Sequence, residues 1–252
     1  MYVGNLEILK LLLDHPGSDI PQGVMKLPLL CYAAYRGEES VVKLLIDRGA
    51  SLQATDERYE RNALIWAVVR GHRAAFSQLL QTPGIGWDDP DRMGRTALFY
   101  AARENHEDIF RELTSRGSHV HCPDRFGLTV LVVAVQHGHE NLVRAILESH
   151  PLTQEPRDRY GRTLSWWIQS TGNDWLRDIV ARYGMQLGDL GQEGQDLTYC
   201  YTESNTSSKP CDICTLPLAL HKREIECGSG SRKYRICHVC CEFGATCKDF
   251  AE

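Results

Sequence analysis

Three stretches of the chain, DRMGRTALFYAARENH at 91–106, DRFGLTVLVVAVQHGH at 124–139 and DRYGRTLSWWIQSTGN at 158–173, are versions of one pattern and align without gaps. A fourth stretch, DERYERNALIWAVVRGH at 56–72, aligns with one extra residue. The repeats follow one another at a spacing of 33 to 35 residues. Self-similarity at such a period predicts an array of stacked units, in which each unit contacts its neighbours, rather than one globular core.

The same residue types recur at matching positions of each repeat. They form a leucine column (Leu30, Leu64, Leu98, Leu131), an alanine column (Ala33, Ala67, Ala101, Ala134), a glycine column (Gly37, Gly71, Gly138, Gly172, with Asn105 in register) and a further apolar column (Leu12, Leu45, Leu79, Leu113, Ile146, Val180). The apolar spacing and the Gly or Asn stops predict a turn, a short helix and a second helix in each unit. The last column also predicts that the chain begins inside a repeat, at its second helix. We therefore expect an all-α solenoid over residues 1–184.

This pattern resembles the ankyrin repeat. A Thr96-Ala97-Leu98-Phe99 run stands where that family has Thr-Pro-Leu-His, and Gly71-His72 stands at its Gly-His position. The resemblance implies about five full repeats after an N-terminal half repeat, and protein binding along a concave surface. The final unit departs from the pattern, because Ser165 occupies the leucine column. Terminal capping units and a chain truncated at its start are both open explanations for the atypical ends.

Charge and composition narrow the function classes. The chain has 28 Lys and Arg against 33 Asp and Glu, a net charge of −5, so we expect no nucleic-acid binding. The longest uncharged apolar run, Thr129 to Val135, is about seven residues, short of the ~20 that span a membrane. The N-terminus has no secretory signal features. These observations predict an intracellular, monomeric protein of the cytoplasm or nucleus. Phosphate-binding loops, nucleophile elbows and metalloprotease helices are also missing from the sequence, so we expect no enzyme.

The turn at the start of each repeat, called the tip below, carries the first candidate site. Asp56, Asp91, Asp124 and Asp158 recur there, and short carboxylates of this kind satisfy turn N–H groups. An arginine and a large apolar residue follow each aspartate. The pairs are Arg58 with Tyr59, Arg92 with Met93, Arg125 with Phe126, and Arg159 with Tyr160. Arginine beside aromatic groups is typical of interface hot spots and suits an acidic partner segment. The open alternative is that these residues serve only their own turns.

Other polar residues of the repeats have simpler interpretations. His72, His106 and His139 occupy one repeated position, where an imidazole can hydrogen-bond loop backbone, so we expect a structural role. A further arginine column, at 61, 95 and 162, is broken by Leu128. If the tips bind nothing, the inner-helix positions Tyr35, Arg70, Arg103 and His137 are the alternative interaction surface.

The cysteine-rich end of the chain predicts a metal site. Cys211-x2-Cys214 and Cys237-x2-Cys240 are separated by 22 residues, which is typical of four-thiolate structural zinc sites. We expect a polar linker at 185–210 and a zinc module at 211–252 that the metal holds folded. The module resembles cysteine-rich zinc modules of fungal ankyrin proteins, which implies a second Zn²⁺. His221, Cys227 and Cys247 are the candidates for it, but Ser229 and Gly230 stand where an inner cysteine is expected. One zinc, two zincs and unligated thiols remain open.

Together these features predict a non-catalytic interaction scaffold or adaptor, with the zinc module as its second binding surface. Two alternatives remain at this point. One is the substrate-recognition component of a ubiquitin-ligase-like assembly, although the tail lacks the inner Cys-His order of a RING. The other is a transcriptional cofactor, although the tail from Lys209 onward carries almost no net charge.

Overall fold

The computed structural model describes residues 27–150, 155–159, 161–183, 224–227 and 234–237. Between residues 27 and 183, the described chain forms five helical hairpins. Unit I is α1 (Leu29–Arg36) and α2 (Glu39–Asp47), and unit II is α3 (Ala63–Val69) and α4 (Arg73–Leu80). Unit III is α5 (Ala97–Arg103) and α6 (Glu107–Ser115), unit IV is α7 (Val130–Gln136) and α8 (Glu140–Ser149), and unit V is α9 (Leu164–Thr171) and α10 (Asp174–Arg182). The predicted hairpin repeat is confirmed.

The residue columns explain why these hairpins form and stack. The leucine and alanine columns are buried: Leu64, Leu98, Ala67 and Ala101 are all fully inaccessible to solvent. Alanines let the first helices of neighbouring units approach closely, and the leucines fill the space between them. The glycine column ends the first helices as predicted, with φ between 66° and 72°, and Asn105 takes the same left-handed conformation at φ 59°. Glycine and asparagine tolerate this region better than other residues do, so each helix stops at the same place.

The first helix of units II to V begins at a polar cap. The Asn62 side chain accepts a hydrogen bond from the Ile65 N–H at 2.9 Å, and Thr163 accepts one from the Trp166 N–H at 3.2 Å. Thr96 and Thr129 make the same contact in units III and IV. These caps satisfy amide groups that have no partner within the helix, and they fix where each first helix starts.

The core of the array lies between successive hairpins. The first helices contact one another in the order α1, α3, α5, α7 and α9, and α2 contacts α4 in a second row. Large side chains close the space between the two rows, and Phe76, Phe99, Tyr100 and Trp167 are all at least 98% buried. None of the described helices is long and apolar enough to cross a lipid bilayer.

The chain divides into two compact units, Met1–Gln186 and Leu187–Glu252. In the second unit, β1 (Glu224–Cys227) pairs with β2 (Tyr234–Cys237) in an antiparallel hairpin. Glu224 is opposite Cys237 and Cys227 is opposite Tyr234, so the two cysteines lie at opposite ends of the hairpin. The proposed linker at 185–210 lies outside the described residues, as do Leu12 and the start of the first repeat.

Candidate functional site

Each tip is built around a buried aspartate. In unit III, Asp91 Oδ1 accepts hydrogen bonds from the backbone N–H groups of Met93 at 2.8 Å and Arg95 at 2.9 Å. Asp124 accepts the equivalent bonds from Phe126 and Leu128. In unit II, Asp56 accepts from the amides of Arg58, Tyr59 and Arg61. The aspartates therefore have the structural role that their recurrence predicts.

Successive tips are also joined through their backbones. The N–H of Arg92 donates to the carbonyl of Tyr59 at 2.7 Å, Arg125 to Met93 at 2.8 Å, and Arg159 to Phe126 at 2.7 Å. Each bond links the arginine of one unit to the apolar residue of the unit before it. The tips thus form one hydrogen-bonded row from unit II to unit V, and the two recurring columns mark its donors and acceptors.

The arginines of the second column pair with three of the tip aspartates, Asp91, Asp124 and Asp158. The Arg95 Nε is 3.0 Å from Asp124 Oδ2, and both side chains have no exposed surface. Arg61 Nε lies 3.5 Å from Asp91 Oδ2, and Arg61 Nη2 donates to the Tyr100 hydroxyl at 2.7 Å. Burial raises the pKa of the Asp124 carboxyl, and the neighbouring Arg95 opposes that rise. In both cases an arginine of one unit pairs with the aspartate of the next.

Leu128 breaks this pairing, and the structure shows how unit V compensates. No guanidinium from position 128 can reach Asp158, so Arg162 of the same tip pairs with it, at 2.6 Å from Nε to Oδ2. Arg162 is only 4% exposed. The aspartate keeps a cation even though the cation comes from within its own unit.

The predicted partner-binding pairs separate into exposed and buried residues. Arg125 and Arg159 are exposed, Arg58 and Tyr59 are half-buried, and Arg92 lies near the surface with its Nε 3.3 Å from Glu60 Oε1. The prediction needs correction at Met93 and Phe126, which are 7% and 1% exposed. Both side chains are buried, so they present little surface to a partner. Tyr160 lies outside the described residues. The accessible residues Arg58, Tyr59, Arg92, Arg125 and Arg159 are called the tip edge below.

A group of aromatic rings and arginines lies on the first helix of unit I and on the tip and first helix of unit II. Ring centroids are 6.5 Å apart between Tyr32 and Tyr35, 5.5 Å between Tyr35 and Trp66, and 6.3 Å between Trp66 and Tyr59. Three guanidinium groups lie over these rings. The aromatic–arginine cluster consists of Tyr32, Tyr35, Tyr59, Trp66, Arg58, Arg61 and Arg70.

Sequence reasoning named only part of this cluster. Tyr35, Arg70, Arg58 and Tyr59 were separate candidates, and Tyr32 and Trp66 were missed. A signal for the missed pair does exist, because both stand five positions before the glycine column, where Tyr100 and Trp167 also stand in later units. An aromatic residue at this position of the repeat, considered together with the leucine and alanine columns, therefore predicts both Tyr32 and Trp66.

Two members of the histidine column, His72 and His139, have the structural role that was predicted. A ring nitrogen of His72 lies 3.0 Å from the carbonyl oxygen of Tyr35, and one of His139 lies 2.9 Å from that of Arg103. Each imidazole ties its unit to the end of the preceding first helix. His137 stacks on His139 at 5.7 Å between ring centroids. Burial, and then the charges of Arg103 and His139, lower the pKa of His137 to about 4 despite its hydrogen bond to the Val133 carbonyl.

The described residues do not test the zinc prediction, because most of its ligands lie outside them. No group of three or more His, Cys, Asp or Glu side chains within them could hold a metal ion. Cys227 and Cys237 lie in the two strands, while Cys211, Cys214, His221, Cys240 and Cys247 lie outside the described residues. The zinc module stays a prediction.

In the repeats, burial raises the pKa of the Cys31 thiol to about 12, with a contribution from Asp56, so this thiol is protonated at neutral pH and is a poor nucleophile.

Comparison with known proteins agrees with the hairpin geometry. The model of a family described as ankyrin repeats (3 copies) matches residues 1–86 and 30–124 of the chain. Alpha-latrotoxin-Lh1a of Latrodectus hasselti and alpha-latrotoxin-Lt1a of Latrodectus tredecimguttatus are each 35% identical to the chain over 71 residues, which is 28% of the chain and 5% of each toxin. An L-asparaginase of Dirofilaria immitis is 34% identical over 90 residues, 36% of the chain and 15% of that protein.

The chain spans only 5% to 15% of the length of these relatives, so the similarity concerns a segment and not a whole protein. The repeat period of 33 to 35 residues, the Gly or Asn stop after each first helix and the family match all lead to the same assignment. The chain therefore contains ankyrin repeats.

Proposed function

We propose that the protein is a non-catalytic interaction scaffold or adaptor that binds another protein through its ankyrin repeats. Ankyrin repeats generally mediate protein–protein interaction. The observation that supports a binding role here is the tip edge, where Arg125 and Arg159 are exposed while their backbone amides are held by hydrogen bonds of 2.8 and 2.7 Å. An ordered backbone under an exposed guanidinium lowers the entropy cost of binding. The L-asparaginase similarity covers 15% of that protein, too little to carry its activity over.

The chemistry of the tip edge favours an acidic partner segment. Three of the tip aspartates, Asp91, Asp124 and Asp158, are buried and paired with the second arginine column, so they subtract little from the charge of the outer arginines. Arginine presents a planar set of donors that matches a carboxylate. A partner segment that carries Asp or Glu along the row of tips would meet one such group in each unit.

A charge-reversal pair tests this function. The variant Arg125→Glu with Arg159→Glu changes the tip edge and leaves the buried Phe126 in place. Quantitative mass spectrometry of proteins captured by the intact chain should show partners lost from this variant but retained by Arg111→Glu, which reverses an exposed charge on α6. Thermal unfolding should be similar for both variants. Partners that survive the double reversal would rule out the tip edge as the binding surface.

The second part of the proposal is a structural Zn²⁺ in the tail, held by Cys211, Cys214, Cys237 and Cys240. Four thiolates complete a tetrahedron and leave no coordination position for a reacting water, so this zinc would serve folding. Elemental analysis of protein purified without chelator should find about one zinc per chain, and Cys237→Ser should lose it while the helical signal of the repeats persists. About two zincs would add the His221, Cys227 and Cys247 site, and no metal would end the proposal.

A further inference from the structure

The aromatic–arginine cluster is a surface whose chemistry excludes one class of ligand. The guanidinium carbon of Arg70 lies 4.8 Å from the ring centroid of Tyr35, and that of Arg61 lies 4.3 Å from the ring centroid of Tyr59. Arg58 lies over Tyr59 as well, at 4.9 Å. An aromatic cage for a lysine or another ammonium group needs free ring faces. Here the protein's own cations occupy those faces, so a cationic ligand would meet like charges.

The arginines of the cluster differ in what charge they have left to offer. Arg61 is close to Asp91 and donates to Tyr100, so its charge is used within the fold. Arg70 is exposed, and no carboxylate among the described residues lies within ion-pair distance of it. The acidic residue at the same register of the next unit, Glu104, pairs instead with Arg103 at 3.4 Å. Arg70 is therefore the exposed cation of this cluster, and it can bind an external anion.

Stacking prepares Arg70 for one kind of anion. A guanidinium that lies on an aromatic ring keeps its N–H edges directed outward, in the plane in which a carboxylate accepts two parallel bonds. The rings beside it, Tyr32 and Tyr35, are half-buried and offer apolar surface to a neighbouring side chain. Tyr, Trp and Arg are also the residues most enriched at interface hot spots.

We propose that this cluster binds an extended acidic segment of a partner protein, with one Asp or Glu carboxylate paired to Arg70 and an adjacent apolar side chain packed on Tyr32 and Tyr35. The inference rests on the proposed protein-binding function and adds a second anchor, on the first helices of units I and II. The two surfaces share Arg58 and Tyr59, but the anchor proposed here is distinct from the tip edge because Arg70 follows the end of α3 and does not belong to a tip.

A displayed library of random peptides, selected on the intact chain, provides the probe. We expect enrichment of peptides in which Asp or Glu lies within two positions of an aromatic residue or Leu. The consensus peptide, synthesised and titrated, should lose at least about tenfold in affinity with Arg70→Glu and less with Arg70→Lys, which keeps the charge but loses the planar fork. Arg111→Glu is the matched control and should leave the affinity unchanged. Circular dichroism should show the same helix content in all three variants.

Several outcomes overturn the inference without touching the proposed function. Acidic peptides that bind equally well to wild type and Arg70→Glu, but are lost in the Arg125→Glu and Arg159→Glu pair, would assign acidic recognition to the tip edge alone. Selected peptides without acidic residues would also overturn it, although the chain would still be a protein-binding module. Equal losses with Arg70→Glu and Arg111→Glu would show only a general charge effect. Failure to select any peptide, together with failure to capture any protein, would count against the proposed function itself.

Discussion

The ion pair of Arg95 and Asp124 separates the structural arginine of a tip from the arginine that is available for binding. Neither side chain has exposed surface, and their atoms are 3.0 Å apart across the boundary between units III and IV. Desolvation makes such a pair a weak source of net stability. Removal of one partner is a different matter, because it leaves the other charge buried without its counter-ion. The outer arginine of the same tip, Arg92, faces solvent and has no such constraint.

We expect Arg95→Met to destabilise the repeats by about 3 kcal/mol, since the Asp124 carboxylate would remain buried among backbone amides only. Arg92→Met, the matched change three residues away, should cost less than about 1 kcal/mol, because its pair with Glu60 is exposed. Denaturant unfolding followed by helical signal measures both. Equal costs would contradict the separation of the arginines into a buried and an exposed column.

His137 makes the stability of the folded repeats depend on pH. Its pKa is about 4 in the folded state and about 6.5 when unfolded, so the neutral folded form contributes stability above the unfolded pKa. As pH falls from about 7 to about 5, only the unfolded state gains the proton, and we expect about 2 kcal/mol of stability to be lost through this residue. His137→Gln should reduce the loss over that pH range, as measured by unfolding at each pH. An unchanged pH profile would show that His137 titrates alike in both states.

At the scale of the element, the tip is an interlocking turn rather than a loop. Gly127 has φ +82°, and a Cβ added to it would lie 2.7 Å from the backbone nitrogen of Arg159 in the next tip. Gly161 has a similar φ of +76°, but a Cβ there would meet no atom of the described residues within 4 Å. The first glycine is needed for close approach as well as for its conformation, and the second for its conformation alone.

This contrast predicts that a Gly→Ala substitution lowers the free energy of unfolding by different amounts at positions 127 and 161. Gly161→Ala should cost about 1 kcal/mol from backbone strain. Gly127→Ala should cost clearly more, by a further ~1–3 kcal/mol, because the methyl group would force apart two hydrogen-bonded backbones. Thermal unfolding of the two variants, side by side, measures the difference. Similar melting temperatures would mean that the tips of units IV and V separate without penalty.

The same turns show which features the sequence could predict. The helix pairs, their Gly or Asn stops and the structural aspartates follow from recurring columns, because those residues satisfy local backbone requirements that are the same in every unit. The orientation of Met93 and Phe126 does not follow, since a column records that a residue recurs and not which way its side chain points. Their burial comes from contact between units. The assembly of the aromatic–arginine cluster, with Tyr32 and Trp66, was missed for the same reason, as its rings and cations come from two units.

At the scale of the whole repeat array, stability is spread over neighbouring contacts. The first helices α3, α5 and α7 each pack on the one before and the one after, so a defect in one of these units acts first on its two neighbours. This differs from a globular domain, in which any large cavity weakens a shared core. Unit III has two described neighbours on each side and is the best place to test the difference.

Leu98→Ala removes a fully buried side chain of α5 and should cost about 2–5 kcal/mol. Hydrogen exchange read by mass spectrometry should show the largest loss of amide protection in α5 and its neighbours α3 and α7, and a smaller loss in α1 and α9. Uniform loss across all five first helices would contradict nearest-neighbour coupling.

The backbone bonds between successive tips also have a mechanical consequence. They are 2.7–2.8 Å long and belong to turns organised by buried aspartates, whereas exposed ion pairs, such as Arg73 with Asp108 at 3.1 Å, join second helices of neighbouring units. Short hydrogen bonds weaken steeply when stretched or misaligned, while exposed ion pairs resist separation little. We therefore expect the array to be stiffer along its tips than along its second helices. A force that pulls the two ends of the repeat array apart should separate the second helices of neighbouring units before it separates their tips.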